Sequence, residues 1–207
     1  MNKHSLFLFD FDGTLVDSRE SLELVFKGAY GAVGVDVSPE YIVRLMRVQL
    51  QQGYKELGAP EDKFEIFGNE IIRLLDDEEV LRKTKIFYDT METLNGLYQA
   101  GKKLAIVTSN NRKHVHDVLS FLGIDDKMFS IVIGNKETRR HKPFPDPILK
   151  CLEELGVDKE GVCYVGDGQD DMTSAVAAGV HPILLDRRRE YDQEKYKKIY
   201  SLLDLLK

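Results

Sequence analysis

The 207 residues suffice for one domain, or one domain carrying a moderate insertion, with a sizeable core. With 43% hydrophobic and 31% charged residues, the composition is that of a globular chain and excludes general disorder. A net charge of -6, from 35 acidic against 29 basic side chains, argues against nucleic acid as a partner and means that an anionic ligand needs a local basic patch. Cys151 and Cys163 show no CxxC or metal-ligand spacing and read as reduced thiols. The apolar run near the N-terminus is too short for a signal peptide and is broken by Asp10. No stretch approaches the roughly 20 apolar residues of a membrane span, so the expected location is the cytoplasm, without a membrane partner.

Leu6-Phe7-Leu8-Phe9 is a short, unbroken apolar run, as expected of a strand buried on both faces in the centre of a parallel sheet. It runs into Asp10-Phe11-Asp12-Gly13-Thr14, which places two carboxylates at the strand's carboxyl end, where open α/β sheets bind ligands. Gly13 allows the backbone to turn sharply there and to lie close to whatever is bound. Asp17 or Ser18 is then placed to cap a helix, with Leu22, Val25, Phe26, Ala29, Tyr30 and Val33 at helical spacing and Gly34 closing it. Ser38-Pro39-Glu40 begins a second helix whose apolar face is Ile42, Leu45, Met46 and Leu50. Phe64, Phe67, Ile71, Leu74 and Leu75 mark a third, so residues 17–84 read as an all-helical block.

Beyond it the pattern alternates. Asp89 is placed to cap a helix carrying Met91, Leu94, Leu97 and Tyr98, and residues 103–107 form a strand running into Thr108-Ser109-Asn110. A helix with Val115, Leu119 and Leu122 follows, then a strand at 130–133 and a helix with Ile148, Leu149, Leu152 and Leu155. A strand at 161–165, a small-residue helix at 172–178 and a strand at 182–185 come next, and Tyr196, Ile199, Tyr200, Leu203 and Leu206 predict a terminal helix. This succession predicts an α/β fold, a Rossmann-like parallel sheet with helices on both faces formed by residues 1–16 and 85–207. Residues 17–84 are then a small helical cap domain inserted after the first strand, expected to sit over the strand end as a lid.

Three further stretches sit at strand ends, where this topology gathers them around Asp10. Thr108 directly follows a strand, and its hydroxyl suits a phosphoryl oxygen as well as a helix cap. His141-Lys142-Pro143-Phe144-Pro145-Asp146-Pro147 is stiffened by its prolines, so Lys142 is a held ammonium that can screen two negative groups from each other. Val165-Gly166-Asp167-Gly168-Gln169-Asp170-Asp171 repeats the pattern of a core strand ending in glycine and acids. Carboxylates gathered this closely repel one another unless a cation sits among them, and an all-oxygen set suits Mg²⁺. A calcium loop beginning at Asp10 does not fit, because Gly13 comes two positions early and Ser21 stands where a bidentate glutamate belongs.

Asp10-Phe11-Asp12-Gly13-Thr14 resembles the first signature of the haloacid dehalogenase superfamily, most of whose members are magnesium-dependent phosphatases. Thr108, Lys142 and the 165–171 stretch resemble its second, third and fourth signatures, in the family's order, so the resemblance runs from Leu6 to Gly179. Lys142-Pro143 followed by Pro145-Asp146 is most similar to the branch of phosphoglycolate phosphatases and related small-metabolite phosphatases. The resemblance implies Asp10 as nucleophile and Asp12 as general acid and base. It implies Mg²⁺ held by Asp10, the backbone carbonyl of Asp12 and Asp167, with Asp171 supporting. Thr108, Ser109, Asn110 and Lys142 would bind the phosphoryl group of a small phosphorylated metabolite, in a monomer or homodimer. A carboxylate at position 12 speaks against the dehalogenase and ion-pump branches. A phosphomutase of the β-phosphoglucomutase type shares every one of these residues, and a non-catalytic binding protein is a third reading that gives no reason to keep the acidic cluster.

Other residues read as structural or solvated. Arg44 and Arg47 suit an exposed helix face, and Arg139-Arg140 and Arg187-Arg188-Arg189 suit exposed loops. His114, His116, His141 and His181 lack metal-ligand spacing. Two departures from the family pattern stand out: Tyr88-Asp89 in place of a Pro-Gly turn, and the extra acid Asp170.

Overall fold

Four large apolar residues in succession have no polar face to offer solvent, and β1 (Leu6–Phe9) is accordingly buried along its whole length. The computed structural model describes residues 4–45, 48, 50–192 and 195–207. It divides into two units, Met1–Asp17 with Ile86–Lys207, and Ser18–Lys85. β2 (Val16–Asp17) and β3 (Lys85–Ile86) mark the points where the chain leaves the first unit and returns to it.

The first unit is built on a six-stranded sheet. Besides β1 it contains β4 (Lys103–Val107), β5 (Phe129–Ile133), β6 (Val162–Gly166), β7 (His181–Leu185) and β8 (Lys197–Ile199), in the order β5-β4-β1-β6-β7-β8. Every neighbouring pair is parallel, and helices cover both faces. The helices are α6 (Thr90–Gln99), α7 (Arg112–Phe121), α8 (Asp146–Leu155) and α9 (Gln169–Ala178). Phe9 pairs with Ile106 on one side and Val165 on the other, so the residues that follow β1, β4 and β6 emerge level at one edge. Chain order reverses across β1, which makes that edge the topological switch point where such sheets bind ligands. Leu6, Leu8, Ala105, Val107, Tyr164 and Met172 belong to the apolar cluster beneath it.

The terminal segment departs from the predicted helix. Lys197, Lys198 and Ile199 pair with Ile183, Leu184 and Leu185 as an edge strand, and only Leu202–Leu206 winds into a 3₁₀ turn. The open edge of β7 offers a full row of backbone partners, and this outweighs a helical spacing that long aromatic and aliphatic residues also satisfy in a strand followed by a turn. The two lysines suit an edge strand, where charge discourages further pairing.

Among its described residues the regular structure of the second unit is helical apart from the first residue of β3: α1 (Arg19–Ala32), α2 (Pro39–Leu45), α3 (Leu50–Glu56), a 3₁₀ turn at Glu61–Lys63, α4 (Phe64–Leu75) and α5 (Glu78–Leu81). Tyr30, Tyr54 and Phe67 form its buried aromatic centre, with Phe64 packed edge-on to Tyr54. The Tyr54 hydroxyl donates to the Pro60 carbonyl at 2.7 Å, as a buried phenol requires. Leu50 does not continue the face of Ile42 and Leu45; it opens the separate α3 and is exposed, while Met46 lies outside the described residues. Arg44 is exposed and paired with Glu56 at 3.0 Å, and Arg47 lies outside the described residues. Among the described residues no helix is long and apolar enough to cross a membrane.

Candidate active site

Asp10 leaves β1 with its backbone N–H donating to the Val165 carbonyl at 2.9 Å, so the sheet ladder itself aims the first carboxylate. The turn that follows is closed by Gly13 N–H to Val16 O at 2.8 Å and Leu15 N–H to Phe11 O at 2.9 Å. Gly13 takes φ +81°, a conformation that side chains disfavour. A Cβ at Gly13 would overlap Asp167 Oδ2 and lie 2.8 Å from its Cγ, so the first acidic turn packs directly on the carboxylate of the second. Gly166 plays the matching part for Asp171, whose Cγ would lie 2.5 Å from an added Cβ.

Lys142 is brought in by the loop between β5 and α8. Phe144 N–H donates to His141 O at 2.9 Å across the cis Lys142–Pro143 peptide, and Ser174 donates to the Phe144 carbonyl at 2.8 Å, tying the loop to α9. The buried Lys142 Nζ donates to Asp10 Oδ1 and to Asp171 Oδ1, each at 2.6 Å, and to the Tyr164 hydroxyl at 3.1 Å. All three ammonium protons are thereby directed. Tyr164 sends its own proton to the Val107 carbonyl at 2.7 Å. The second oxygen of Asp171 accepts from Gly168 N–H at 2.9 Å, reaching back over the start of α9.

Ligand atoms of Asp10, Asp167 and Asp171 all lie within 4.8 Å of one another. Burial pushes Asp10 well above the usual carboxylate range; Lys142 opposes the rise, and Asp171 and Asp167 add to it. Burial works against the charge of Lys142, but Asp10 and Asp171 outweigh it and hold the ammonium well above its ordinary range. Three carboxylates thus face one ammonium, an excess of two negative charges when all are ionised. A divalent cation with a preference for oxygen matches both that excess and the donor set.

The other predicted residues sit beside this cluster. Thr108 is buried; its N–H donates to Ile133 O at 2.9 Å and its Oγ1 accepts from Asn110 N–H at 3.0 Å, which leaves the hydroxyl proton to donate. It does not cap α7, because Asn111 does, accepting from His114 N–H at 2.8 Å. Asn110 presents Nδ2 to Asp12 Oδ2 at 3.3 Å, with its amide turned that way by Asn111 N–H on Oδ1 at 2.9 Å. Asn110 is therefore a neighbour of the second carboxylate as well as of Thr108, while Ser109 is exposed. Asp170 is exposed and outside the cluster, although burial of its carboxyl and the charge of Asp171 push it upward.

Comparison with known proteins follows the same residues. The family model described as haloacid dehalogenase-like hydrolase matches residues 7–185. The chain belongs to that family. As a haloacid dehalogenase-like hydrolase it is similar to a Caldanaerobacter subterraneus protein that carries the provisional name pyrophosphatase PpaX, at 34% identity over 85% of this chain and 79% of the relative. It is 31% identical to a phosphoglycolate phosphatase of Escherichia coli, over 83% of this chain and 77% of that one. A solved structure from Bacteroides fragilis, provisionally assigned as a haloacid dehalogenase-like hydrolase, superposes with a TM-score of 0.86 at 28% identity, covering 95% of this chain and 96% of the other.

Two expectations for this unit are corrected. Asp89 does not cap α6 with its side chain; it is fully buried and accepts from Arg187 at 2.8 and 2.9 Å, Ser201 Oγ at 2.7 Å and Leu202 N–H at 2.8 Å. Arg187 accordingly is not a solvated loop residue: its guanidinium also lies 3.9 Å from the centre of the Phe87 ring. Arg188, Arg189, Arg139 and Arg140 are exposed, as expected. Tyr164 was the polar contributor that pattern reading passed over. A phenol inside an otherwise apolar strand signals a buried partner, and here the partner is the lysine of the site.

Proposed function

We propose that this hydrolase is a Mg²⁺-dependent phosphatase acting on a small phosphorylated metabolite, a phosphomonoester such as phosphoglycolate or a sugar phosphate, in the cytoplasm. The observation that carries the reading is Lys142 Nζ lying 2.6 Å from both Asp10 and Asp171 inside an acidic cluster at the switch point of the sheet. The similarity to a named phosphoglycolate phosphatase supports the substrate class.

In this reading Asp10 attacks phosphorus, the bond from phosphorus to the leaving oxygen breaks, and Asp12 protonates that oxygen. Asp12, held by Asn110, then takes a proton from water, which attacks the aspartyl-phosphate and frees phosphate and Asp10. Thr108, through its unassigned hydroxyl proton, and Lys142 stabilise the phosphoryl oxygens, with Ser109 and Asn110 completing that edge. Asp10, Asp167 and the Asp12 carbonyl, with support from Asp171, would hold Mg²⁺, which would supply positive charge that offsets the phosphate and favours ionised Asp10. Positioning and charge stabilisation of this kind account for most of the catalysis in phosphoryl transfer.

The test is phosphate release from a panel of small phosphomonoesters with Mg²⁺ and with EDTA, comparing wild type and Asp10→Asn. Metal-dependent release that is lost in the variant is expected. Absence of release from every compound, with phosphoryl groups moved between substrate hydroxyls instead, would overturn the assignment in favour of a phosphomutase.

A further inference from the structure

The family match ends at residue 185, yet the segment immediately after it reaches both acidic turns. Arg187 Nη2 donates to the Thr14 carbonyl at 3.0 Å, in the turn that follows Asp10 and Asp12. Tyr191 Oη donates to the backbone carbonyl of Asp167 at 3.0 Å, in the turn that follows β6. The segment itself is braced. Buried Asp186 accepts from Glu190 N–H at 2.8 Å and Tyr191 N–H at 3.2 Å, its own N–H donates to Ile199 O at 2.8 Å, and Lys198 donates to the Tyr191 carbonyl. Arg187 is locked in turn by its forked pairing with Asp89, which Ser201 and Leu202 hold from the other side.

Because the backbone of Gly13 packs against the Asp167 carboxylate, the two turns cannot shift independently. A displacement of either one moves a carboxylate of the cluster. The geometry points to Arg187 and Tyr191 as positioning residues: the braced loop after β7 clamps the Thr14 and Asp167 carbonyls and thereby sets the spacing of the Asp10 and Asp167 carboxylates for a divalent cation. Neither side chain touches the reacting atoms. Outer partners of this kind orient ligands and tune metal affinity. The inference rests on the metal-dependent reading above and deepens it.

The experiment is a titration with Mn²⁺ alone, followed by EPR of the free ion, on wild type, Tyr191→Phe, Arg187→Lys and Arg188→Ala, with urea unfolding in EDTA alongside. Tyr191→Phe deletes one hydroxyl and keeps the ring. It is expected to weaken Mn²⁺ binding about threefold to tenfold, the span of one ordinary hydrogen bond, while leaving the unfolding midpoint close to wild type. Arg187→Lys keeps the charge but loses the fork and is expected to weaken binding further. Exposed Arg188 is the control, and Arg188→Ala is expected to bind as wild type does. In phosphate release, Tyr191→Phe is expected to be slow at limiting Mg²⁺ and restored at saturating Mg²⁺, a rescue that a purely structural defect would not show. Wild-type affinity in Tyr191→Phe overturns the inference even if Arg187→Lys fails to fold, and so does absence of Mn²⁺ binding by wild type. Mn²⁺ binding that weakens as stated, in a protein that releases no phosphate, would sustain the clamp and refute the phosphatase reading instead.

Discussion

Replacing Lys142 with methionine tests the electrostatic design of the site most directly. The methionine side chain fills most of the same volume but removes the charge between two carboxylates, each 2.6 Å away, whose side chains are 9% and 5% exposed. Removing one partner of a buried ion pair costs about 3–5 kcal/mol, because the remaining charge is left uncompensated. For a chain of 207 residues that corresponds to a fall of roughly 6–20 °C in unfolding temperature. The loss depends on pH with a definite sign. Asp10 is already raised by burial, and loss of the ammonium raises it further, so the folded variant binds a proton more readily than the unfolded chain does. The contribution of Asp10 to stability is therefore complete below the ordinary carboxylate range and is lost as pH rises from there through the elevated Asp10 titration. Urea unfolding in EDTA near pH 5.5 and near pH 8 measures both effects. A variant as stable as wild type at the higher pH would refute the claim that Lys142 balances the buried carboxylates.

Other perturbations separate metal binding from folding. Gly13→Ala forces an L side chain to φ +81° and into the Asp167 carboxylate; the backbone alone costs about 1–2 kcal/mol, and Mn²⁺ affinity in EPR is expected to fall by more than that stability loss implies. Asp89→Asn removes the charge that Arg187 pairs with, and chemical denaturation at neutral pH should show a loss of about 1.5–3 kcal/mol. Burial pushes Asp89 upward, but hydrogen bonds from Arg187, Ser201 and Leu202 outweigh it and hold the carboxyl below its usual range. That stability is complete above the unfolded carboxylate pKa and disappears as pH falls through the folded one, so the gap between wild type and Asp89→Asn should close on acidification.

The centre of the sheet and the acidic cluster of the candidate site at its edge were legible because both depend on residues close together in the chain. A run such as Leu6 to Phe9 can be buried only in the middle of a sheet, and a strand that stops in Asp10 or in Gly166-Asp167 has nowhere to place its acids except the rim. The parallel register then does the assembly: once Phe9 aligns with Ile106 and Val165, Thr108 and Asp167 must converge on Asp10. Lys142 was harder to place. Its loop leaves the end of β5, but Lys142 lies well past Ile133, and proline stiffness showed that it is held without showing which partners hold it.

What was not legible depends on partners far apart in sequence. Arg187 and Asp89 are 98 positions apart, and a run of three arginines reads as a solvated loop until one of them is found opposite a fully buried carboxylate. The same holds for Tyr191 and the Asp167 carbonyl, because a backbone acceptor has no signature in sequence at all. Helical spacing at Tyr196, Ile199 and Tyr200 misled for a related reason: periodicity reports which residues want burial, whereas the exposed edge of β7 decided which backbone conformation would bury them. The same edge explains why the last segment matters for the site. Adding β8 closes the chain back on the sheet, so that Asp186 donates its N–H to Ile199 and organises the Glu190 and Tyr191 amides. A strand that looks like mere edge protection therefore fixes the loop that holds both acidic turns, and truncation before Lys197 should loosen the carboxylate cluster before it melts the sheet.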